Sequence, residues 1–292
     1  MTTTPVIERY FACIGAQKAG TTWLARILAQ HDDVFVTPVK EIHYFDHVAG
    51  LTEQLGAHKR RSRYRKYHQR MLTQWSKWRE YRSQADWYRA YMAPVLDDAW
   101  YASLFAERGG KAIAGELTPE YALIGRDGFR HMKRVAPDAR IIYIMRNPVD
   151  RAWSQLLHQC RVRKLDARRM PTVDFLAIVA EDRFSAIADY SRVLTDIAGE
   201  FPKSNVLIEF YEDIHDDRAA AIGRVCDFLG VGPGANQMGG LERRFNISQS
   251  ATMPDALRSA MVEKYTGIVA DVRRHVGRVP EQWEGDFKLR AG

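Results

Sequence analysis

Eight residues between a predicted strand and a predicted helix constrain the fold of this chain more than any other feature. The strand is the apolar run Tyr10–Ile14, and Gly15-Ala16-Gln17-Lys18-Ala19-Gly20-Thr21-Thr22 follows it, ahead of apolar residues at helical spacing. In such a turn the main-chain N–H groups and the positive end of the helix dipole point at one place, which suits a phosphate. The segment therefore predicts a phosphate-binding loop that opens a helix of an α/β domain.

The position of the lysine distinguishes this loop from that of the nucleotide triphosphatases. Those proteins carry the pattern GxxxxGK[ST], and here Thr21 stands at the lysine position of that pattern. The lysine of this loop is Lys18, inside the turn. This favours a single phosphate held by the turn, with Lys18 near a bridging oxygen, over a loop that reaches β- and γ-phosphates. The alternative is a strand–helix turn whose lysine is incidental.

Four further apolar runs predict strands, and helical patterns separate them. The predicted strands are Val34–Val36, Lys111–Gly115, Arg140–Met145 and Asn205–Glu209. Helices are predicted at 58–93, from Pro148 onward, and at 172–200, 216–229 and 254–276. Strands that alternate with helices form a parallel sheet covered on both faces. We therefore predict a P-loop-like, three-layer α/β fold with a central parallel sheet of about five strands, in a single domain over residues 1–292.

Composition narrows the class of protein. The 292 residues are 46% hydrophobic and 27% charged, which is typical of a globular enzyme-sized domain. The three cysteines, Cys13, Cys160 and Cys226, are scattered and odd in number, so they predict neither a disulfide framework nor a CxxC metal site. The sequence shows no secretion signal and no apolar run of membrane-spanning length. We expect a cytoplasmic protein.

A second candidate anion-binding element starts where the strand Arg140–Met145 ends. Arg146 lies at the carboxyl end of that strand, where ligands of open α/β sheets collect, and Ser154 follows about two helical turns later. A guanidinium can pair bidentately with a phosphate, and a hydroxyl can complete its shell. Taken alone, the pair is also compatible with a solvated arginine and a helix-surface serine.

A third segment offers candidates for acid–base chemistry. Glu41 can serve as a base in transfer to a hydroxyl, and His43 is the rival because its unperturbed pKa is about 6.5. His43 and His47 are four residues apart, as in some metal sites, but no third ligand has suitable spacing. We therefore predict no metal.

Together these segments resemble the sulfotransferase family that uses 3′-phosphoadenosine 5′-phosphosulfate (PAPS), especially its heparan sulfate sulfotransferase branch and bacterial relatives. IGAQKAGTTWL is similar to the family's 5′-phosphosulfate loop, and RNPVDRAWS to its 3′-phosphate element. KEIHYF is similar to the family's Lys-Glu-x-His-Phe-Phe motif, whose glutamate is the base. GELTPEY is similar to an acceptor-side Lys-Ser/Thr-Pro-x-Tyr element, although Leu117 replaces the lysine. Asn246-Ile247-Ser248 and Trp283 also resemble bacterial members.

The resemblance implies roles for individual residues. PAPS is the implied co-substrate, without a metal. Glu41 is the implied base, with His43 second or as an orienting partner, and Lys18 lies at the donor. Lys40, Thr118 and Tyr121 are implied on the acceptor side. The implied nucleotide-binding residues are Gln17, Lys18, Ala19, Gly20, Thr21, Thr22, Trp23, Arg146 and Ser154.

The predicted reaction is transfer of a sulfuryl group from PAPS to a hydroxyl or amine. The acceptor is a small molecule, a glycan or a glycolipid, with carbohydrate and glycolipid preferred by the resemblance, and we expect no nucleic-acid partner. One alternative is a P-loop nucleotide kinase, which Thr21 at the lysine position disfavours. The other is a non-enzymatic polyanion-binding protein.

The polyanion alternative depends on a basic segment at 58–82. The whole chain has a net charge of +7, and between His58 and Arg82 ten Lys or Arg accompany a single acid, Glu80. We predict that residues 58–93 form a basic helical insertion. Two interpretations of this insertion are open. In the first, an aromatic stripe packs it on the domain and leaves the arginines in solvent. In the second, its basic face guides an anionic glycan or lipid surface to the site. The stripe comprises Tyr64, Tyr67, Met71, Trp75 and Trp78.

Overall fold

The computed structural model describes residues 6–106, 108–233, 239–242 and 251–288. Its centre is one sheet of five parallel strands in the order β2-β3-β1-β4-β5. The strands are β1 (Tyr10–Gly15), β2 (Val34–Val36), β3 (Ile113–Leu117), β4 (Arg140–Met145) and β5 (Val206–Phe210). The predicted fold class and the strand number are confirmed.

Helices connect the strands and pack on the sheet. In the part of the chain that the structure describes they are α1 (Thr21–Leu28), α2 (Tyr44–Val48), α3 (Ala57–Thr73), α4 (Trp78–Ser83), α5 (Ala85–Tyr91), α6 (Asp98–Ala106), α7 (Gly125–Val135), α8 (Pro148–Arg163), α9 (Thr172–Ala180), α10 (Asp182–Ala188), α11 (Tyr190–Ala198), α12 (Tyr211–Asp216), α13 (Arg218–Leu229), α14 (Asp255–Val276) and α15 (Glu281–Phe287). Short 3-10 turns lie at Trp75–Lys77, Pro119–Leu123 and Lys203–Asn205.

The central strands carry the core. Every residue of β1 and β3 is buried, because parallel strands are covered by helices on both faces. β1 pairs with β3 on one side and with β4 on the other. The chain therefore crosses from one half of the sheet to the other beside β1, and the carboxyl ends of β1 and β4 lie next to each other. Such a switch point is where ligands of open α/β sheets bind.

Several predicted boundaries differ from the structure. β3 lies two residues later than the predicted strand Lys111–Gly115, and the predicted helix 172–200 is divided into α9, α10 and α11. Extended backbone at Glu181 ends α9, and the Asp189 side chain caps α11. Hydrophobic periodicity continues across such breaks, because residues on either side of them still face the same core.

The segment 58–93 is helical but not one helix. It forms α3, a 3-10 turn, α4 and α5, and extended backbone at Gln74 ends α3. Tyr67 of the predicted packing stripe is buried, and Tyr64 and Met71 pack partly against the core. Trp75 and Trp78 do not follow this pattern, since they are 80% and 38% exposed.

Other sequence expectations concern cysteines, membrane spans and the carboxyl-terminal region. The three cysteines are buried, and none of them forms a disulfide bond. Among the described residues, none of the helices has the length and apolar content needed to cross a bilayer, and the cytoplasmic location stays a prediction. Trp283 is fully buried against Tyr190 and Phe210, whereas Asn246-Ile247-Ser248 lie outside the described residues.

Candidate functional site

A cavity of about 820 Å³ opens at the carboxyl edge of the sheet, beside the switch point. It lies between the loop after β1, the start of α8 and the helix α12. All the residues predicted to bind the nucleotide line it, namely Gln17, Lys18, Ala19, Gly20, Thr21, Thr22, Trp23, Arg146 and Ser154. Glu41 lines it as well. The fold thus brings the two predicted phosphate elements and the predicted base to one space.

The loop after β1 is shaped by Gly20. This residue precedes α1 with φ 86°, a left-handed conformation that glycine adopts readily. A Cβ at this position would lie 3.2 Å from the Tyr211 ring, so the close approach of Tyr211 also favours glycine. The loop is tied to the sheet by the Ala16 N–H, which donates to the Ile144 carbonyl at 2.6 Å. The first turn of α1 lines the cavity, so the positive end of its helix dipole lies there.

Arg146 joins the second element to the first. Its Nη1 donates to the Lys18 carbonyl oxygen at 3.0 Å, and its guanidinium lies 4.5 Å from the centroid of the Tyr211 ring. The carbonyl oxygen of Arg146 accepts a hydrogen bond of 2.8 Å from the Tyr190 hydroxyl. These contacts fix the guanidinium at the cavity wall, where an anion can still meet its remaining N–H donors.

Lys18 lies half-buried in a positively charged environment. Burial lowers the pKa of Lys18, and the nearby charges of Arg161 and Arg146 lower it further, while Glu41 acts in the opposite direction. Cations held close to one another in a partly buried space favour the binding of an anion, which relieves their mutual repulsion. The wall formed by Lys18 and Arg146 is therefore suited to phosphate groups.

Glu41 and His43 lie on the loop between β2 and α2. Glu41 forms an ion pair with Lys40. His43 is buried, and its Nδ1 lies 2.7 Å from Asp46 Oδ2. Burial lowers the pKa of His43, but the hydrogen bond to Asp46 and the negative charges of Asp46, Glu120 and Glu41 outweigh burial and raise it. The sequence comparison with the family motif did not single out Asp46, although the residue follows that motif directly.

The three predicted catalytic residues share an unusual backbone conformation. Lys18, Glu41 and His43 have φ values of 68°, 65° and 65°. In the part of the chain that the structure describes, Arg9, Lys164 and Lys288 are the other non-glycine residues with positive φ. This conformation is unfavourable for residues with a Cβ and persists where surrounding contacts enforce it, which is typical of functional sites.

Glu116 supplies the contacts that hold the loop of Glu41. Its buried carboxylate accepts hydrogen bonds from the Ile42 N–H at 3.0 Å, the Thr118 hydroxyl at 2.6 Å, and the hydroxyls of Tyr101 and Tyr121 at 2.5 and 2.7 Å. The Tyr121 hydroxyl is also 2.9 Å from the Tyr44 N–H. Residues 42 and 44, on either side of His43, are thus anchored to a single network.

Two residues predicted on the acceptor side, Thr118 and Tyr121, belong to the same hydrogen-bond network. Thr118 and Tyr121 are fully buried and do not line the cavity. Through Glu116 and the N–H of Tyr44 they support the loop that carries Glu41 and His43. Lys40 reaches the site through its ion pair with Glu41 and is not among the cavity-lining residues. Acceptor contact by these three residues stays a prediction.

Glu120 is a site residue that sequence reasoning missed. It lines the cavity and accepts a hydrogen bond of 2.8 Å from Gln17 Nε2. Burial, and next to it the charge of Glu41, raises the pKa of Glu120. One potential ligand atom each from Glu41, His43 and Glu120 lies within 4.8 Å of the other two. This set of possible metal ligands does not include His47, and the absence of a metal stays a prediction.

Several other residues that line the cavity were not predicted as site residues from the sequence. Trp153 and His158 lie on α8. Tyr211 begins α12, His215 lies near the end of α12, and Arg218 begins α13. The Trp23 and Trp153 indole N–H groups donate to the carbonyls of Leu241 and Ala251. The sequence signals for these residues were the place of Trp153 within RNPVDRAWS and the position of Tyr211 two residues after the predicted strand Asn205–Glu209.

Comparison with protein families gives an independent result. The sequence profile of the sulfotransferase family matches residues 11–232. Human heparan sulfate glucosamine 3-O-sulfotransferase 6 is 31% identical over 140 residues, which are 46% of this chain and 40% of that protein. Human heparan sulfate glucosamine 3-O-sulfotransferase 3B1 is 26% identical over 223 residues, covering 75% of this chain and 45% of that protein. The chain thus spans less than half the length of these curated relatives.

Solved structures share the fold at low sequence identity. A sulfotransferase from Alicyclobacillus acidocaldarius superposes with a TM-score of 0.64 and 22% identity, over 94% of this chain and 98% of that one. The sulfotransferase domain of the Synechococcus olefin synthase gives a TM-score of 0.57 and 18% identity, over 96% and 98% of the two chains. The whole described architecture, including the helices around the cavity, is therefore of a known type.

Proposed function

Because this chain belongs to the sulfotransferase family, we propose that it transfers a sulfuryl group from PAPS to an acceptor hydroxyl or amine. One observation carries the proposal: the loop 17–23, Arg146, Ser154 and Glu41 line a single cavity at the carboxyl edge of the sheet. This chemistry requires that the phosphate-binding groups and a base lie at one place, and these residues supply both.

Each of the two basic elements binds one end of the nucleotide. The 5′-phosphosulfate lies at the turn of Lys18 and the N-terminus of α1, whose N–H groups and hydroxyls suit a tetrahedral anion. The 3′-phosphate lies at Arg146 and Ser154. The hydrogen bond from Arg146 to the Lys18 carbonyl fixes the spacing of the two phosphate sites. A donor without a 3′-phosphate, such as ATP, leaves Arg146 and Ser154 without their ligand.

The reaction exchanges one S–O bond for another. The acceptor oxygen attacks sulfur, the bond from sulfur to the bridging oxygen breaks, and adenosine 3′,5′-bisphosphate leaves with the electron pair. Lys18 stabilises the negative charge that develops on the bridging oxygen, which a fixed ammonium does best in a water-poor site. The acceptor proton passes to a base. For an amine acceptor the same base takes the proton from nitrogen.

The surroundings of His43 favour Glu41 as that base. A raised pKa favours the protonated imidazole, and a protonated imidazole cannot accept the acceptor proton. Glu41 lines the cavity, while His43 is buried behind it and bound to Asp46. His43 then acts on Glu41 and Glu120 as a neighbouring positive charge that orients them.

A carbohydrate or glycolipid hydroxyl is the proposed acceptor. The similarity to heparan sulfate glucosamine 3-O-sulfotransferases supports this acceptor, although the chain spans less than half the length of those proteins. The carboxylates of Glu41 and Glu120 at the acceptor end also suit hydroxyl groups, which donate hydrogen bonds to them. A small hydroxylated metabolite presents the same group.

Ligand-induced stabilisation tests the donor, and product analysis tests the reaction. The purified protein is melted with adenosine 3′,5′-bisphosphate, with adenosine 5′-phosphate, and with ATP and magnesium. We expect the bisphosphate to raise the melting temperature most. Radiolabelled PAPS is then incubated with a panel of glycans, glycolipids and small alcohols and amines. Stabilisation by ATP alone, or label that stays on PAPS with every acceptor while the bisphosphate fails to bind, contradicts the proposal.

A further inference from the structure

The basic helical insertion is firmly attached to the domain at its base. The Trp87 indole N–H donates to the Leu104 carbonyl at 2.9 Å, which joins α5 of the insertion to α6. The buried guanidinium of Arg60 donates to the carbonyls of Tyr91 and Ala93, each at 2.8 Å. The insertion is therefore a fixed projection, and the side chains at its far end have defined positions relative to the domain.

The far end of the insertion exposes large apolar side chains. We call residues 72–82, where α3 turns into α4, the tip. Leu72 is 68% exposed, Trp75 is 80% exposed and Trp78 is 38% exposed. Apart from Lys77, whose side chain the structure does not describe, every residue from 72 to 80 is exposed. Exposed apolar side chains concentrated on one projection mark a contact surface.

The apolar tip adjoins a strongly basic helix. Helix α3 contains seven Lys or Arg and no acid. Five of these cations are exposed, namely Lys59, Arg61, Arg65, Lys66 and Arg70. On the tip, Arg79 and Arg82 are exposed too, and the Arg82 guanidinium lies 4.9 Å from the centroid of the Trp78 ring. The projection thus combines apolar insertion groups with a positive field around them.

We propose that this insertion docks the protein on an anionic lipid bilayer, with the tip in the interface and the exposed cations of α3 against the headgroups. Tryptophan favours the bilayer interface because its ring is apolar and its N–H is polar. Lysine and arginine beside it are attracted to anionic lipids. A sulfated glycan or a nucleic acid could pair with the cations, but it offers no apolar partner to Leu72. The charge pattern and the exposed apolar groups together are therefore better matched by a membrane.

The test measures binding of the full chain to vesicles and needs no substrate, so it is independent of the proposed reaction. Vesicles of phosphatidylcholine alone are compared with vesicles that also contain phosphatidylserine, by co-sedimentation and by the blue shift of tryptophan fluorescence. We expect binding to the phosphatidylserine vesicles, weak binding to the neutral ones, and weakening of the former by added salt, since exposed charges are screened.

Two variants and a control separate the parts of the surface. Replacing Leu72 and Trp75 together by serine should weaken vesicle binding by about tenfold or more, because each such side chain gains at least that much from burial. Reversing Arg61, Arg65 and Lys66 to glutamate should abolish it, since each basic residue near an anionic membrane strengthens binding by about fivefold. Val173→Ser is the control, because Val173 is 67% exposed, much like Leu72, but lies outside the insertion and beside Asp174.

Circular dichroism melting verifies that each variant is folded. Full binding by the Leu72→Ser/Trp75→Ser variant would overturn the insertion of the tip, and equal binding to neutral and anionic vesicles would overturn the role of the α3 cations. Failure of the unmodified chain to bind any vesicle, together with retention on a heparin column, would assign the basic face to a soluble polyanion instead and refute membrane docking.

Discussion

The Nη1 of Arg146 donates a hydrogen bond to the carbonyl oxygen of Lys18 at 3.0 Å. This contact joins the residue directly after β4 to the turn directly after β1, which are neighbouring strands at the switch point. Arg146 thus helps to hold Lys18 in its left-handed conformation. One side chain therefore serves both phosphate elements, and its removal is expected to affect both.

Arg146→Ala should weaken adenosine 3′,5′-bisphosphate more than adenosine 5′-phosphate. Loss of a charge-assisted contact to phosphate costs about 1.5–3 kcal/mol, which is roughly ten- to hundredfold in affinity. Isothermal titration calorimetry with both nucleotides measures the difference. Arg146→Lys is the matched variant, because it keeps the charge but not the bidentate geometry. Equal weakening of the two nucleotides would remove Arg146 from the 3′-phosphate site.

Lys18→Ala should lower kcat more than it weakens nucleotide binding, because its charge is most useful when the bridging oxygen becomes a leaving group. Steady-state kinetics and nucleotide titration measure the two effects. Lys59→Ala, on the exposed face of α3, is the control for general loss of positive charge. An unchanged kcat in Lys18→Ala would exclude the lysine from the chemical step.

Glu41→Gln should leave nucleotide affinity intact and lower kcat by about 10²–10⁴, the usual contribution of a positioned general base. The amide keeps the size of the carboxyl group but cannot take a proton. His43→Ala should lower activity less, because the imidazole is bound to Asp46 behind Glu41. If Glu41→Gln stays active and His43→Ala is inactive with normal nucleotide affinity, the histidine is the base.

Asp46→Asn should lower the pKa of His43. The carboxylate raises that pKa both through its hydrogen bond and through its charge, against the opposing effect of burial. The stabilisation that this raised pKa gives is fully present below the unfolded pKa of about 6.5 and is lost as the pH rises through the folded pKa. The Asp46→Asn substitution should therefore lower the melting temperature more in mild acid than in mild alkali. NMR titration of the His43 ring measures the pKa directly, and an unchanged titration would show that Asp46 does not tune it.

Glu116→Gln should destabilise the fold and impair catalysis together. The carboxylate accepts four hydrogen bonds, and an amide has only one oxygen to accept them. Each buried donor left without an acceptor costs about 1–3 kcal/mol. Denaturant unfolding measures the loss, and Tyr10→Phe, which removes one hydroxyl at the edge of the same network, should cost less. Wild-type stability in Glu116→Gln would contradict the anchoring role.

Local sequence patterns predicted the elements that depend on neighbours in the chain. The bounds of β4 were predicted to the residue and those of β1 to within one residue, and α8 starts at Pro148, near which a helix start was predicted. The loop of Lys18 was recognisable because a strand, a glycine turn and a helix are consecutive. Local patterns suffice there, since hydrogen bonding and burial in one strand or helix repeat at a fixed period.

Which of these elements contact one another depends on the folded structure and could not be predicted from local patterns. Glu116 and Ile42 are separated by 74 positions, and Gln17 and Glu120 by 103, so no periodicity relates them. Trp75 likewise fits the packing stripe by spacing, but it lies beyond the end of α3 and is 80% exposed among the described residues. A side chain's spacing depends on its own helix or strand, whereas its burial and its hydrogen-bond partners depend on where distant segments pack.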